Sequence, residues 1–268
     1  MLEENRDVES AYRSCDAVPV VEESAYERAL TWRAAELAQL CDLAQPWEYG
    51  TIWRASRYPK YWSYNLVRVE HAPAMSAGEL AELANEALAG LQHRRIDFDP
   101  EPGAVRGEFE ALGWRTRRLV LMRHEHAPEL SASHHVEQVA YDATRELRIA
   151  WHAEEYPGHQ LGDHLNEAVE VARLRQTRAF AVLEEDKPVG YSTLERIGNQ
   201  AEVAAAYVRP ERRGNGIGTA LTLAAIASGR DYDDLFICAD DEDRPKQLYE
   251  RLGFRPAWTT TAFLWLPS

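Results

Sequence analysis

Val208-Arg209-Pro210-Glu211-Arg212-Arg213-Gly214-Asn215-Gly216-Ile217-Gly218-Thr219-Ala220 is the stretch on which the fold depends. It leaves a run, 200–209, that reads as a strand, and it enters an alanine-rich run that reads as a helix from Gly218 to Ser228. Three glycines in five positions (Gly214, Gly216 and Gly218) open backbone conformations closed to other residues and let an anion approach the main chain. At the N-terminus of a helix such amides converge on the anion, with the partial positive charge of the helix behind them. Arg212 and Arg213 add full charges. The pattern predicts a pyrophosphate cradle formed by Arg213, Gly214, Asn215, Gly216, Ile217, Gly218 and Thr219.

Two familiar phosphate motifs do not fit. A nucleotide P-loop, G-x-x-x-x-G-K-S/T, needs a lysine that is missing here. The dinucleotide fingerprint G-x-G-x-x-G needs a small sixth residue, and counting from Gly214 or Gly216 gives Thr219 or Leu221. The spacing that does fit is R-x-x-G-x-G, from Arg213 through Gly216 to Gly218. Downstream, Leu248-Tyr249-Glu250-Arg251-Leu252-Gly253-Phe254 ends a helix at a glycine and opens a strand. A tyrosine on that helix is within reach of a site beside the glycine loop. Its phenol, with a pKa of about 10 in water, can protonate a departing thiolate; the alternative is a core aromatic.

Working outward, 178–185 and 189–196 read as a hairpin, 235–239 as a strand, 245–252 as a helix and 257–266 as the last strand. Upstream of the hairpin, 136–141 reads as a strand, and 145–155 and 161–174 as helices. The stretch 124–133, with Pro128, reads as a linker. The N-terminal half reads as a short helix within 1–28, a helix over 27–43, strands over 49–55 and 62–70, a helix from the N-cap Ser76 with Glu79 three residues on, a strand over 94–98, a helix over 104–112 and a strand over 114–123. This order predicts a mixed α/β sheet, mostly antiparallel and flanked by helices. An echo runs through it. Val67-Arg68-Val69-Glu70 and Phe109-Glu110-Ala111-Leu112-Gly113-Trp114 match Val208-Arg209-Pro210-Glu211 and Tyr249-Glu250-Arg251-Leu252-Gly253-Phe254 at nearly the same offset, 141 and 140 residues, with the same elements between. The offset predicts a duplicated unit.

From about residue 134 onward, R-x-x-G-x-G at Arg213–Gly218 followed by Leu248-Tyr249 and Leu252-Gly253-Phe254 resembles the GNAT superfamily of N-acetyltransferases. The first half resembles a degenerate copy, as in tandem GNAT proteins such as the mycothiol synthase group. The resemblance implies two tandem GNAT-like units: residues 1–128 without a cofactor loop, and residues 134–268 binding acetyl-CoA. It implies that amides from Arg213 to Thr219 hold the CoA pyrophosphate, and that Tyr207 and Val208 pair with the pantetheine, Val208 facing the thioester carbonyl. It also implies that Tyr249 protonates the CoA thiolate. Glu202, eleven residues before Arg213, stands where many members carry a glutamate that takes the amine proton. Family members often carry an asparagine and an alanine where this chain has Glu242 and Pro245; the acidic run 240–243 puts the adenine and ribose contacts in doubt. The first copy lacks the glycines and arginine, reading His71-Ala72-Pro73-Ala74-Met75-Ser76-Ala77-Gly78, and has Phe109 in place of the tyrosine. It is expected to extend the sheet or to wall the acceptor cleft.

Other signals are weaker. The net charge of −14 makes nucleic acid and anionic membranes poor partners and suits amines. No apolar run approaches a membrane span, and the acidic start lacks a signal-peptide core, so a cytoplasmic location is expected. Cys15, Cys41 and Cys238 form no disulfide or zinc pattern, no metal is expected, and Cys238 reads as core. The aromatic-rich stretch Tyr49, Trp53, Tyr58, Tyr61, Trp62 and Tyr64 either lines the acceptor pocket or is core. His152, His159 and His164 are candidates for contact with the acceptor amine or for an alternative base to Glu202, and His124, His126, His134 and His135 for linker surface. The function this implies is transfer of acetyl from acetyl-CoA to a small amine by direct attack, in a monomer or homodimer. An acyl-CoA sensor without turnover and amide formation of the mycothiol synthase type are the alternatives, and an aminoglycoside-type acceptor fits the charge.

Overall fold

A computed structural model describes residues 23–159, 162–242 and 245–267. Cys15, most of the short helix expected within 1–28, the expected helix start at Leu161, and Asp243 of the acidic run lie outside them.

The first half begins with helix α1 (Ala25–Leu40), fixed by a capping box between Ser24 and Glu27. Strands β1 (Leu43–Trp47) and β2 (Gly50–Arg54) form a hairpin. β1 falls where the helix was expected to end. Its Pro46 is tolerated because β1 is an edge strand. β3 (Leu66–Val69) is shorter than expected, because Trp62–Tyr64 winds into a 3-10 turn. Then follow α2 (Ala77–Ala87), β4 (Arg94–Phe98), α3 (Ala104–Ala111) and β5 (Arg115–His124). The second half runs β6 (Glu137–Val139), α4 (Arg145–Glu155), α5 (His164–Leu174), β7 (Arg178–Glu184), β8 (Lys187–Ile197), β9 (Gln200–Val208), α6 (Ile217–Ser228), β10 (Asp234–Asp240), α7 (Pro245–Arg251) and β11 (Phe254–Trp265). The last strand opens directly after Gly253, three residues earlier than expected.

All eleven strands described form one open mixed sheet, ordered β1-β2-β3-β4-β11-β5-β10-β9-β8-β7-β6. The echo is visible in it. Parallel β3 and β4, linked by α2, correspond to parallel β9 and β10, linked by α6. Each half then adds a helix and a final strand, and these final strands change places. β11 pairs with β4 of the first half, β5 pairs with β10 of the second, and the two pair antiparallel with each other at the junction. The cores follow the exchange. Val120 and Met122 of β5 are buried with Val203, Ile217, Leu221 and Ile237, whereas Phe263 of β11 is buried with Ile96, Phe98 and Phe109. Helix α1 crosses the opposite face of the junction, packing Ala29 and Trp32 on Leu121, Phe236 and Trp258. The two halves therefore share one sheet and cannot be parted without unpairing β5 and β11.

Candidate functional site

The site lies where two parallel strands separate. β9 and β10 pair from Gln200↔Asp234 to Val203↔Ile237 and no further. At that point β9 carries a bulge: Ala204 falls between the pairs Leu194↔Val203 and Thr193↔Ala205. A bulge bends its strand and aims it away from the ladder. Beyond it β9 stays on β8 to Val208 while β10 stays on β5, so the edge of β9 facing β10 is unpaired from Ala204 onward. A cavity of about 210 Å³ fills the gap, with Tyr207, Cys238 and Tyr249 in its wall.

At the far end of this edge is the glycine loop. A 3-10 turn over Pro210–Arg212 leads into Gly214 at φ 81° and Gly216 at φ 83°, both left-handed, and α6 starts at Ile217 with Gly216 as its N-cap. The first-turn amides of a helix have no partner within the helix, and the glycine conformations turn the chain so that the loop ends at this terminus. A Cβ on Gly216 would come within 2.6 Å of Ser133 Oγ, so the linker packs against the loop, and His134 Nε2 lies 2.7 Å from the Asn215 carbonyl oxygen. The arginine charges expected to serve the anion are engaged: Arg213 pairs with Glu154 of α4 at 2.8 Å and donates to the Val208 carbonyl, and Arg212 pairs with Glu184 at 2.6 Å. The loop thus offers an anion its main chain first.

Tyr249 stands on α7, buried at the wall of the small cavity, with its ring edge-on to Phe254. Tyr207 is buried, and its hydroxyl donates to Glu154 at 3.3 Å. Val208 is half-buried against the core under α6. Glu202 lies at the inner corner of the splay, opposite Phe236 in the last paired stretch, and accepts a 3.0 Å hydrogen bond from Trp32 Nε1 of α1. Burial, with help from the carboxylates of Glu36 and Glu195, pushes its carboxyl up to about 8, against the Trp32 hydrogen bond and Arg175.

Glu202 also lines a second, larger cavity of about 490 Å³ that shares Trp151, Tyr191, Ala204, Ala205 and Cys238 with the first. Both halves wall it. Tyr61, Trp62 and Tyr64 of the aromatic-rich stretch face it, whereas Tyr58 is in the core beside α1 and Tyr49 packs on Trp47. His152, His159 and His164 face it too; burial pushes the imidazoles of His152 and His164 down, His164 to about 4, so both are neutral near pH 7. Cys238 is no core residue: its side chain is exposed toward the cleft, because β9 has left it uncovered. That cleft is enclosed, and burial within it, with the charge of Glu202, pushes the thiol up to about 12.

Three partners were not visible from sequence: Trp32, Glu36 and Arg175. Arg175 reaches Glu36 at 3.3 Å and Glu195 at 2.8 Å; Arg33 reaches Glu36 at 2.7 Å and Asp97 at 3.0 Å; the Tyr64 hydroxyl donates to Glu36 at 2.7 Å. Burial pushes Glu36 up, but Arg33 and Arg175 outweigh it and hold it at about 2. The floor of the cavity is therefore a fixed lattice of ion pairs, within which Glu202 is the acid held near neutrality.

Residues 175–256 match the model of the acetyltransferase (GNAT) domain. Among solved structures the chain is similar to a functionally unknown conserved protein from Staphylococcus epidermidis ATCC 12228, at 15% identity over 84% of this chain and 93% of that one, with a TM-score of 0.62. It is also similar to a GCN5-related N-acetyltransferase from Kribbella flavida, at 17% identity over 90% and 96% of the two chains, with a TM-score of 0.54. No curated protein matches the sequence. The matched segment, residues 175–256, is an acetyltransferase (GNAT) domain by sequence, and the solved structures share the fold. This chain carries that segment within a single eleven-stranded sheet to which both halves contribute. No described helix is long and apolar enough to cross a membrane.

Proposed function

We propose that the chain is an acetyl-CoA-dependent N-acetyltransferase acting on a small amine. In this reading residues 134–268 carry the CoA site, and residues 1–128 are a copy without one that walls the acceptor cavity. The observation that carries the proposal is the free edge of β9 with the glycine loop at one end and Glu202 at the other. Amides from Arg213 to Thr219 bind the pyrophosphate. The main chain at Tyr207 and Val208 pairs with the pantetheine as an added strand would, and the Val208 amide polarises the thioester carbonyl.

The acceptor nitrogen attacks the carbonyl carbon, forming the C–N bond, and the C–S bond breaks with its electron pair on sulfur. Glu202, as carboxylate, takes a proton from the amine directly or through water; Tyr249 gives one to the sulfur. The carboxylate form of Glu202 is a minor species at neutral pH and grows as pH rises toward 8. An un-ionised Cys238 supports direct attack over an acyl-cysteine route. The large cavity reaches Glu202, which supports turnover over a sensor that only holds acyl-CoA.

Calorimetric titration with acetyl-CoA tests the reading. One site per chain is expected, with affinity at least ~10²-fold weaker in Gly216→Glu, whose side chain would enter the cradle beside Ser133. Absence of binding at millimolar ligand would refute it.

A further inference from the structure

Four arginines face the large cavity, and three are spoken for. Arg33 and Arg95 bind Asp97, and Arg175 binds Glu36 and Glu195. Arg148, on α4, is different. It is only 7% exposed, yet Nε, Nη1 and Nη2 are all buried without a hydrogen bond among the described residues. The guanidinium lies 4.1 Å over the Tyr141 ring, and its ion-pair contact is Asp142 at 3.7 Å, beyond hydrogen-bond range. Stacking on an aromatic face holds the plane of a guanidinium while leaving its in-plane donors free. Buried donors of this kind are almost always satisfied in a folded protein, and one left open at a cavity wall awaits a ligand. Its fork geometry matches a carboxylate, bidentate.

The remaining charges around the cavity narrow the anion further. Glu36, Asp97, Glu195 and Glu202 share the cavity with Arg148. A monoanion is tolerated there better than a dianion, which favours a carboxylate over a phosphate monoester. The same cavity holds the acid proposed to deprotonate the amine. An acceptor that satisfies both ends carries an amine and a carboxylate on one small molecule, and a cavity of about 490 Å³ has room for it.

We infer that the acceptor is an amino-carboxylate of amino-acid size, its carboxylate bound by Arg148 and its amine directed to Glu202. The assignment rests on the acyl-transfer reading for the amine end and on Arg148 alone for the carboxylate end. It disfavours polycationic acceptors of the aminoglycoside type, which would bring further cations to a guanidinium without a hydrogen-bonded counter-ion.

The test uses the full chain with acetyl-CoA and follows thiol release for the free amino acids, each beside its decarboxylated amine, with phenylalanine and phenethylamine or lysine and cadaverine as examples. O-phosphoethanolamine beside β-alanine separates phosphate from carboxylate. At least one amino acid is expected to exceed its amine about 10²-fold in kcat/KM, chiefly through KM, and Arg148→Gln is expected to cut that ratio at least tenfold. Arg148→Lys, which keeps the charge but not the fork, is expected to recover part of the ratio, and acetyl-CoA affinity serves as the control for folding. Amines acetylated as well as their amino acids, or O-phosphoethanolamine outrunning β-alanine, would overturn the carboxylate assignment and leave the acyl-transfer reading standing. If acetyl-CoA itself does not bind, that reading fails. Thermal shift with the same amino acids then still decides the Arg148 site: a shift lost in Arg148→Gln supports it, and no shift with any amino acid removes it.

Discussion

The two halves of the sheet are built from the same succession of elements, yet one opens a cleft and the other closes. In the second half β9 and β10 part after Val203↔Ile237. In the first half β3 and β4 stay paired to Val69↔Phe98, and the Asp99 amide extends the ladder to the Val69 carbonyl. The helix termini differ in the same sense. The glycine loop leaves the start of α6 open to an anion, whereas the start of α2 is filled from within: Ser76 and Glu79 cap each other, and Glu108 accepts from the Ala77 amide at 2.9 Å. Where the second half has Tyr249 at a cavity wall, the first has Phe109, fully buried and stacked on Phe263 at 4.2 Å. The first half thus fills from within the places that the second half leaves open. A carboxylate, Glu108, occupies the helix start, a strand pair closes the splay, and a stacked ring replaces the phenol. Matched substitutions should therefore fall on turnover in the second half and on stability in the first.

The largest effect is expected at Glu202. Glu202→Gln should lower kcat/KM by about 10³-fold. Wild-type kcat/KM should rise about tenfold per pH unit up to about 8. An acceptor amine with a pKa below 7 keeps its own titration out of that limb. Stability should move the other way. Because the folded-state value lies above the ordinary 4.5, the contribution of this group is complete below 4.5 and is lost as pH rises through 8. Tm should fall progressively between pH 4.5 and 8 in the wild type and level off above 8, and the fall should be smaller in Glu202→Gln. Trp32→Phe removes a donor that favours the carboxylate, so the activity limb should shift to higher pH. A limb that stays in place in both variants would show that Glu202 is not the titrating base.

Next in size is the ring pair. Tyr249→Phe should lower kcat about 10²-fold with little change in acetyl-CoA affinity. The mirror change, Phe109→Tyr, should leave turnover unaltered and cost about 1–3 kcal/mol of stability, because its hydroxyl would be buried among Phe263, Trp114 and the α2 core. Chemical denaturation beside steady-state kinetics reads both. Turnover lost equally on both sides would erase the distinction between the halves.

How much of this could be read beforehand follows from distance along the chain. The glycine loop, the Ser76–Glu79 capping box and the helix carrying Tyr249 are local patterns, and each stands where its spacing put it. Trp32 meets Glu202 across 170 residues, and Arg175 meets Glu36 across 139, so no local pattern announces either pair. The strand exchange was hidden for a related reason: alternation in β5 and β11 fixes which face each residue takes, not which neighbours flank the strand. Cys238 was misread on the same ground. Its apolar neighbours place it in a strand, but only the bulge at Ala204 uncovers it.

The smallest effect tests whether the open half is also partly closed from within. Glu154 holds Arg213 at 2.8 Å, on a pair whose side chains are 44% and 47% exposed, and Arg213 is the only charge in the R-x-x-G-x-G hexad. If Glu154 competes with the incoming phosphates, much as Glu108 occupies the start of α2, Glu154→Gln should tighten acetyl-CoA binding about threefold in low salt. The gain should vanish by roughly 0.5 M salt, where exposed charges are screened within a few ångströms. Weaker binding in Glu154→Gln would mean the opposite. The pair would then act as a clasp that positions the loop, with α4 shaping the CoA site as well as the acceptor cavity, and the likeness between Glu154 and Glu108 would end at their charge.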